Sequence, residues 1–180
     1  MLTNNQIATI EILLCAFAEE NTHAVFVGST GLALLGYEIN ISDIDVAAYV
    51  DNSSSLQRYN IEPNAFLENE FFVGWYSKYL INNIIVEIFD SRVKVDGCLS
   101  EYNPVKQWVD IIFKNHKIKV MQLEDQLLTN TLLRRADRLE LLKQISLEKP
   151  FSRCYIEKVQ EDCPLLASVS EKILGGAYNV

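Results

Sequence analysis

Histidine is nearly absent from this 180-residue chain, with His23 and His116 the only two. Cysteines stand at positions 15, 98, 154 and 163, and no two of them form a CxxC pair. That spacing excludes a conventional zinc site, and a disulfide framework is out of place in a chain of this size. Cys15 lies in an apolar stretch and is expected to be a small core residue. No run of about 18 apolar residues occurs, so no transmembrane helix is predicted. The first residues, "MLTNNQIATIEILLCAFAEE", lack the basic segment of a signal peptide and turn acidic at Glu19-Glu20. The expected location is the cytoplasm. Positive charge is also short, with 16 Lys and Arg against 24 Asp and Glu and a formal charge of -8. Surfaces that hold nucleic acid need a basic patch, so this balance disfavours such a partner.

Apolar residues make up 49% of the chain, enough to bury a real core. Apolar spacing at Ile7, Ile10, Leu14 and Phe17 predicts a helix over 5–20, capped by Thr3, Asn4 or Asn5. "HAVFVG" reads as a buried strand at 23–27. "STGLALLG" follows as a short helix, with Ser29 or Thr30 at its start and Gly36 past its end. "DIDVAAYV" is the next strand, followed by the polar loop "DNSSSLQRYN". "EFFVGWYSKY" and "NNIIVEIFD" are strand-forming runs joined by a turn at Asn82-Asn83. "DIIF", "KNH" and "KIKVM" predict a further hairpin. Leucines at 123, 127, 128, 132, 139 and 142 predict one helix over 122–145, which Pro150 follows. One or two more helices are expected over 153–173, interrupted near Pro164.

Two features bear on chemistry. Gly28-Ser29 ends a strand where a helix begins, a place where backbone approaches a ligand closely and N–H groups meet phosphate. Asp43 and Asp45, two apart on a strand, project to the same face while Ile44 and Val46 point the other way. Paired carboxylates repel, and a divalent cation relieves that repulsion. Magnesium takes one or two carboxylates and completes its shell with water and phosphate oxygens.

"VGS…DIDV" resembles the signature of the DNA polymerase beta-like nucleotidyltransferase superfamily, in particular its small bacterial members of the minimal, antibiotic-modifying or abortive-infection toxin type. Residues 30–42 separate Ser29 from Asp43, at the long end of that spacing. The resemblance implies an α/β (α+β) nucleotidyltransferase fold with a mixed sheet of four or five strands flanked by helices. The resemblance covers roughly residues 20–145. A core over 1–121 with a C-terminal helical segment over 122–180 packed on it is expected because the leucine stripe from Leu123 to Leu142 needs a partner surface. The resemblance implies catalytic and metal-holding carboxylates at Asp43, Asp45 and Glu87, with Glu87 on the face of Ile85 and Phe89 and Asp90 the next candidate. Gly28, Ser29 and Thr30 would bind the nucleotide. Mg2+ or Mn2+ would be the metal and an NTP the substrate. The NMP would pass to a hydroxyl on a small molecule, protein or RNA with release of pyrophosphate.

"KIKVMQLEDQLLTNTLLRRADRLELLKQI" resembles the toxin-type segment in which a helix carries Arg-x-x-Asp, matched by Arg134 and Asp137. The pattern departs from the superfamily in three places. The third carboxylate is a glutamate, no arginine follows Gly-Ser, and no lysine stands near "LLTNTLL". Contacts to the triphosphate then fall to Arg58, Lys78, Arg92 or Lys94. The acidic balance favours a cationic small molecule or a protein as acceptor. The alternative reading is a nucleotidyltransferase fold of weak or no activity that holds a partner protein, as in a toxin–antitoxin pair.

Overall fold

A computed structural model describes residues 2–50, 54–100 and 102–178. The chain forms two compact units. One comprises the residues up to Leu67 with Val73–Ser91 and Gln107–Met121, the other Glu68–Phe72, Arg92–Lys106 and the chain from Gln122 onward.

The first unit opens with α1 (Asn4–Glu19), where Thr3 and Gln6 exchange side-chain and backbone hydrogen bonds in a capping box. Its buried face is Gln6, Thr9, Ile10, Leu13, Ala16 and Phe17. The two polar members are satisfied, Gln6 Nε2 donating to Ile41 O (2.8 Å) and Thr9 Oγ1 to Ile81 O (3.1 Å). Cys15 is exposed rather than in the core. Two positions past Leu13, it is rotated away from the buried stripe, and the apolar neighbourhood in sequence hides this.

The strands are β1 (Ala24–Phe26), β2 (Asp43–Ala48), β3 (Asn60–Glu68), β4 (Phe72–Ile81), β5 (Ile84–Val95), β6 (Cys98–Leu99), β7 (Trp108–Phe113) and β8 (His116–Met121), with α2 (Gly28–Leu34) between the first two. The sheet runs β3-β4-β5-β2-β1-β8-β7, and β6 pairs with β5. β1 is antiparallel to β2 and parallel to β8, while β2 is parallel to β5. The sheet is mixed, as expected, but larger than four or five strands. β3 carries no strand signal, because "NIEPNAFLE" lacks alternation and includes a proline. It lies at the edge of the sheet, where a missing N–H donor is tolerated. Of the polar loop after β2, residues 51–53 lie outside the described residues, and Ser55–Tyr59 forms a 3-10 turn.

Among the described residues, three pairs turn the chain at positive φ: Asn82-Asn83 (52° and 61°), Asp96-Gly97 (49° and 78°) and Lys114-Asn115 (44° and 71°). Such two-residue turns match the twist of antiparallel strands. In the first unit, Ile10, Leu13 and Phe17 of α1 join Phe26, Ile44, Val46, Tyr79, Ile81, Val86, Ile88, Ile118 and Val120 in one buried cluster. Strand alternation then turns Asp43, Asp45, Ile85 and Glu87 to the opposite face of the sheet.

In the second unit the predicted helix over 122–145 is two helices, α3 (Leu123–Leu132) and α4 (Ala136–Glu148). Arg134 takes φ 54°, and Arg135 N bonds back to Asn130 O (3.1 Å) while Arg134 N reaches Thr131 O (3.2 Å). That is a Schellman ending with arginine where glycine usually stands, so no sequence signal marks it. Arg134 is therefore in the break and not on a helix with Asp137, whose ion-pair partner is Arg138. α5 (Arg153–Asp162) and α6 (Ala167–Lys172) follow, with a 3-10 turn at Pro164–Leu166 between them. Asp125 is buried here, accepting from Tyr102 (2.5 Å), Tyr155 (2.8 Å) and Gln122 Nε2 (3.1 Å). Burial pushes its carboxyl up to about 6 against the pull of these three donors, and Glu124 adds to the rise. Among the described residues no helix is long and apolar enough to cross a membrane.

Candidate active site

The acidic site is built by strand register. Asp43 pairs with Ile85 and Asp45 with Glu87 across the parallel β2–β5 ladder. Residues opposite each other in a ladder share a face, so Asp45 and Glu87 project together and Asp43 joins them from two positions back. One carboxylate oxygen from each of Asp43, Asp45 and Glu87 lies within 4.8 Å of the others, and all three residues are half-buried. Ser42 Oγ donates to Asp43 Oδ1 (2.8 Å), which fixes that carboxylate. Asp90 is not part of the group.

α2 approaches the acidic pair closely. Gly28 turns the chain at φ 56°, and a Cβ built on it would collide with Asp45 Oδ2. Only glycine fits here on both counts. The helix starts at Gly28 after the extended residue Val27, with no side-chain cap, rather than being capped by Ser29 or Thr30. The reason is that the Thr30 hydroxyl is engaged elsewhere. It donates to Asp43 O (3.2 Å) and accepts from Asp45 N (3.2 Å), joining α2 to both acidic positions of β2. Val27 N completes the junction by donating to Asp45 O (3.1 Å). Gly31 N makes the first helical bond, to Val27 O (2.8 Å), so the N–H groups of Ser29 and Thr30 precede it. Ser29 and Thr30 are both buried.

Of the four candidate cations, Lys78 is the one paired with the acidic group. Its Nζ lies 3.5 Å from Glu87 Oε1 and 3.6 Å from Glu62 Oε1. Lys94 pairs with Glu68 (2.8 Å) and Arg58 stacks over Tyr59 (5.0 Å), while Arg92 is exposed. Tyr76 carries no signal in the sequence. Burial, with the neighbouring Glu87 carboxylate, pushes its hydroxyl up to about 12. Tyr76 and the carboxylates Glu62 and Glu87 raise the Lys78 ammonium above its ordinary value, against some desolvation. A signal for Lys78 was available. The two-residue turn at Asn82-Asn83 makes 81 and 84 the first facing pair, which sets Lys78 opposite Glu87.

Chemically, three carboxylates that converge without a thiolate or imidazole form a hard oxygen donor set, suited to Mg2+, Mn2+ or Ca2+. The glycine that admits Asp45 to this cradle and the start of α2 beside it fit a site for a metal-bound polyphosphate.

No protein-family model matches the chain, and no curated protein matches it. Among solved structures, a protein of Thermotoga maritima provisionally classed as a nucleotidyltransferase is similar over 83% of this chain and 97% of its own, with a TM-score of 0.66 at 20% identity. The antibiotic nucleotidyltransferase ANT(2″)-Ia, solved with adenylyl-2″-tobramycin, is similar over 93% of this chain and 98% of its own, with a TM-score of 0.52 at 12% identity. Strand order, the glycine turn into α2 and these two likenesses agree: the chain has the nucleotidyltransferase fold.

Proposed function

We propose that the chain transfers an NMP from an NTP to a hydroxyl acceptor, releasing pyrophosphate. The observation that carries this reading is the convergence of Asp43, Asp45 and Glu87 within 4.8 Å beside the Gly28 turn. These three residues would hold the divalent ions. Bound there, Mg2+ or Mn2+ lowers the pKa of the attacking hydroxyl and neutralises phosphate charge. Gly28, the Ser29 hydroxyl and the N–H groups of Ser29 and Thr30 would receive the β- and γ-phosphates at the start of α2. The acceptor oxygen attacks the α-phosphorus, the bond to the pyrophosphate oxygen breaks, and the hydroxyl proton passes to Glu87. Positioning and electrostatic stabilisation supply most of such catalysis.

The acceptor class we favour is a small molecule or a protein rather than RNA. The net charge of -8 supports this, as does the small-molecule product bound by ANT(2″)-Ia. The test is incubation with each of the four α-labelled NTPs and Mg2+ or Mn2+ against cationic small molecules, total tRNA and the protein itself. Label transfer that Asp45→Asn abolishes is the expected result. No transfer, together with no magnesium-dependent nucleotide binding by calorimetry, would overturn the reading.

A further inference from the structure

Lys78 is placed to do more than neutralise a surface carboxylate. Its ammonium lies between Glu87 and Glu62, 3.5 and 3.6 Å from one oxygen of each, and its side chain is three-quarters buried. Asp43, Asp45, Glu87 and Glu62 bring four carboxylates to this part of the sheet, and Lys78 is paired with two of them. A lysine here opposes any cation that Glu87 would ligate, because the two compete for the same carboxylate.

We propose that Lys78 is a positioning residue that acts as a resident counter-ion for Glu87, withholding the third carboxylate from metal until an anionic substrate draws the ammonium away. This rests on the nucleotidyltransferase reading given above. The flexible four-carbon stem of lysine allows such an exchange of partners, and its compact charge suits a phosphate oxygen as well as a carboxylate. In the absence of nucleotide, Asp43 and Asp45 would carry metal binding, with Glu87 engaged by Lys78. With the triphosphate present, the ammonium would move to a phosphate oxygen and Glu87 would complete the donor set. Metal loading would thereby be coupled to nucleotide binding through one side chain.

The experiment measures Mn2+ affinity by calorimetry and by the electron paramagnetic resonance of the free ion, with and without a non-hydrolysable NTP. It compares the parent with Lys78→Met, Lys78→Gln and Lys78→Arg, each checked for folding by its thermal transition. A unit charge about 6 Å from a divalent ion in a solvent-like dielectric is worth about tenfold in affinity. Without nucleotide, Met and Gln should therefore bind Mn2+ about tenfold more tightly than the parent, and Arg should stay near the parent. The nucleotide should tighten Mn2+ binding in the parent and do so much less in Met and Gln. Folded Met and Gln variants with parental Mn2+ affinity would overturn the counter-ion role while leaving the metal site standing. A parent that binds no Mn2+ at all would overturn both this proposal and the reading beneath it.

Discussion

Asp45 and Glu87 face each other across the parallel β2–β5 pair, and this single register places the third carboxylate beside the first two. Slipping either strand by one residue would exchange a carboxylate for a core residue, Ile44 or Val46 on one side and Val86 or Ile88 on the other. The burial of those four side chains therefore fixes the geometry of the acidic face.

Asp45→Asn keeps shape and hydrogen-bonding capacity while removing one charge from the proposed metal cradle. Expected is a thermal transition within a few degrees of the parent, since relieving carboxylate repulsion offsets any lost contact. Label transfer should fall by at least about a thousandfold, as for loss of a group that stabilises transition-state charge. A variant with a tenth or more of parental transfer would contradict the assignment of Asp45.

Gly28→Ala tests the close approach of α2. A left-handed conformation costs a residue with a Cβ roughly 1–2 kcal/mol, and here the methyl also meets Asp45 Oδ2. Stability should drop by about that amount. Mn2+ affinity should fall further than stability accounts for, because the displaced group is one of the three carboxylates proposed to hold the metal. Unchanged Mn2+ affinity in a destabilised variant would show that Asp45 yields without leaving the cradle.

Thr30→Val separates structure from ligand binding. The hydroxyl accepts from Asp45 N and donates to Asp43 O in a fully buried setting, and valine of the same shape removes both bonds. Leaving a buried backbone N–H without this partner costs about 1–3 kcal/mol. Thr30→Ser keeps the hydroxyl and should lose less. Equal stabilities for the two variants in denaturant titration would rule out the clamp.

Much of this arrangement was legible in the sequence because alternation is a local property. "DIDV" and "IIVEIF" each assign their carboxylate to one face, and the pairing of the two strands follows from the shared core. Gly36 marked the end of α2, and Asn82-Asn83 marked a hairpin. What stayed hidden depends on contacts between distant segments or on unusual residues at ordinary turns. Arg134 ends α3 in a conformation that sequence patterns assign to glycine. β3 forms because β4 offers it an edge, and its own residues carry no alternation. Tyr76 reaches Glu87 only through the β4–β5 register, and the buried group around Asp125 joins three separated segments of chain.

Asp125 should leave a signature in the pH dependence of stability. Its folded-state value of about 6 lies above the ordinary carboxylate value of 3.8, because burial outweighs the donors Tyr102, Tyr155 and Gln122. Between these values the folded protein holds a proton that the unfolded chain has released. Stability from this group is therefore full below about pH 4 and is lost as pH rises through 6, by up to about 3 kcal/mol. Asp125→Asn should remove this component, flattening the parent's decline between pH 4 and pH 7 in chemical denaturation. Parallel pH profiles for parent and variant would show that Asp125 does not titrate in this window.

The last prediction concerns the chain after Met121. Removing it takes away α3 to α6 but keeps Glu68–Phe72 and Arg92–Lys106, which belong to the same compact unit as those helices. Within that unit Tyr102 is buried with its hydroxyl on Asp125, and the Ser100 hydroxyl lies 3.0 Å from Cys163 Sγ. Val93 and Val95 are buried as well. Ending the chain at Met121 would take Asp125 from the Tyr102 hydroxyl and Cys163 from the Ser100 hydroxyl, and would bare apolar surface now buried within the unit, at about 25 cal/mol per Å². Losses of this kind approach the whole stability of a small domain. Expected is a fragment that aggregates or melts without a cooperative transition. A truncated chain that stayed monomeric and unfolded in one sharp step would show that residues 92–106 do not need the helices to hold their shape.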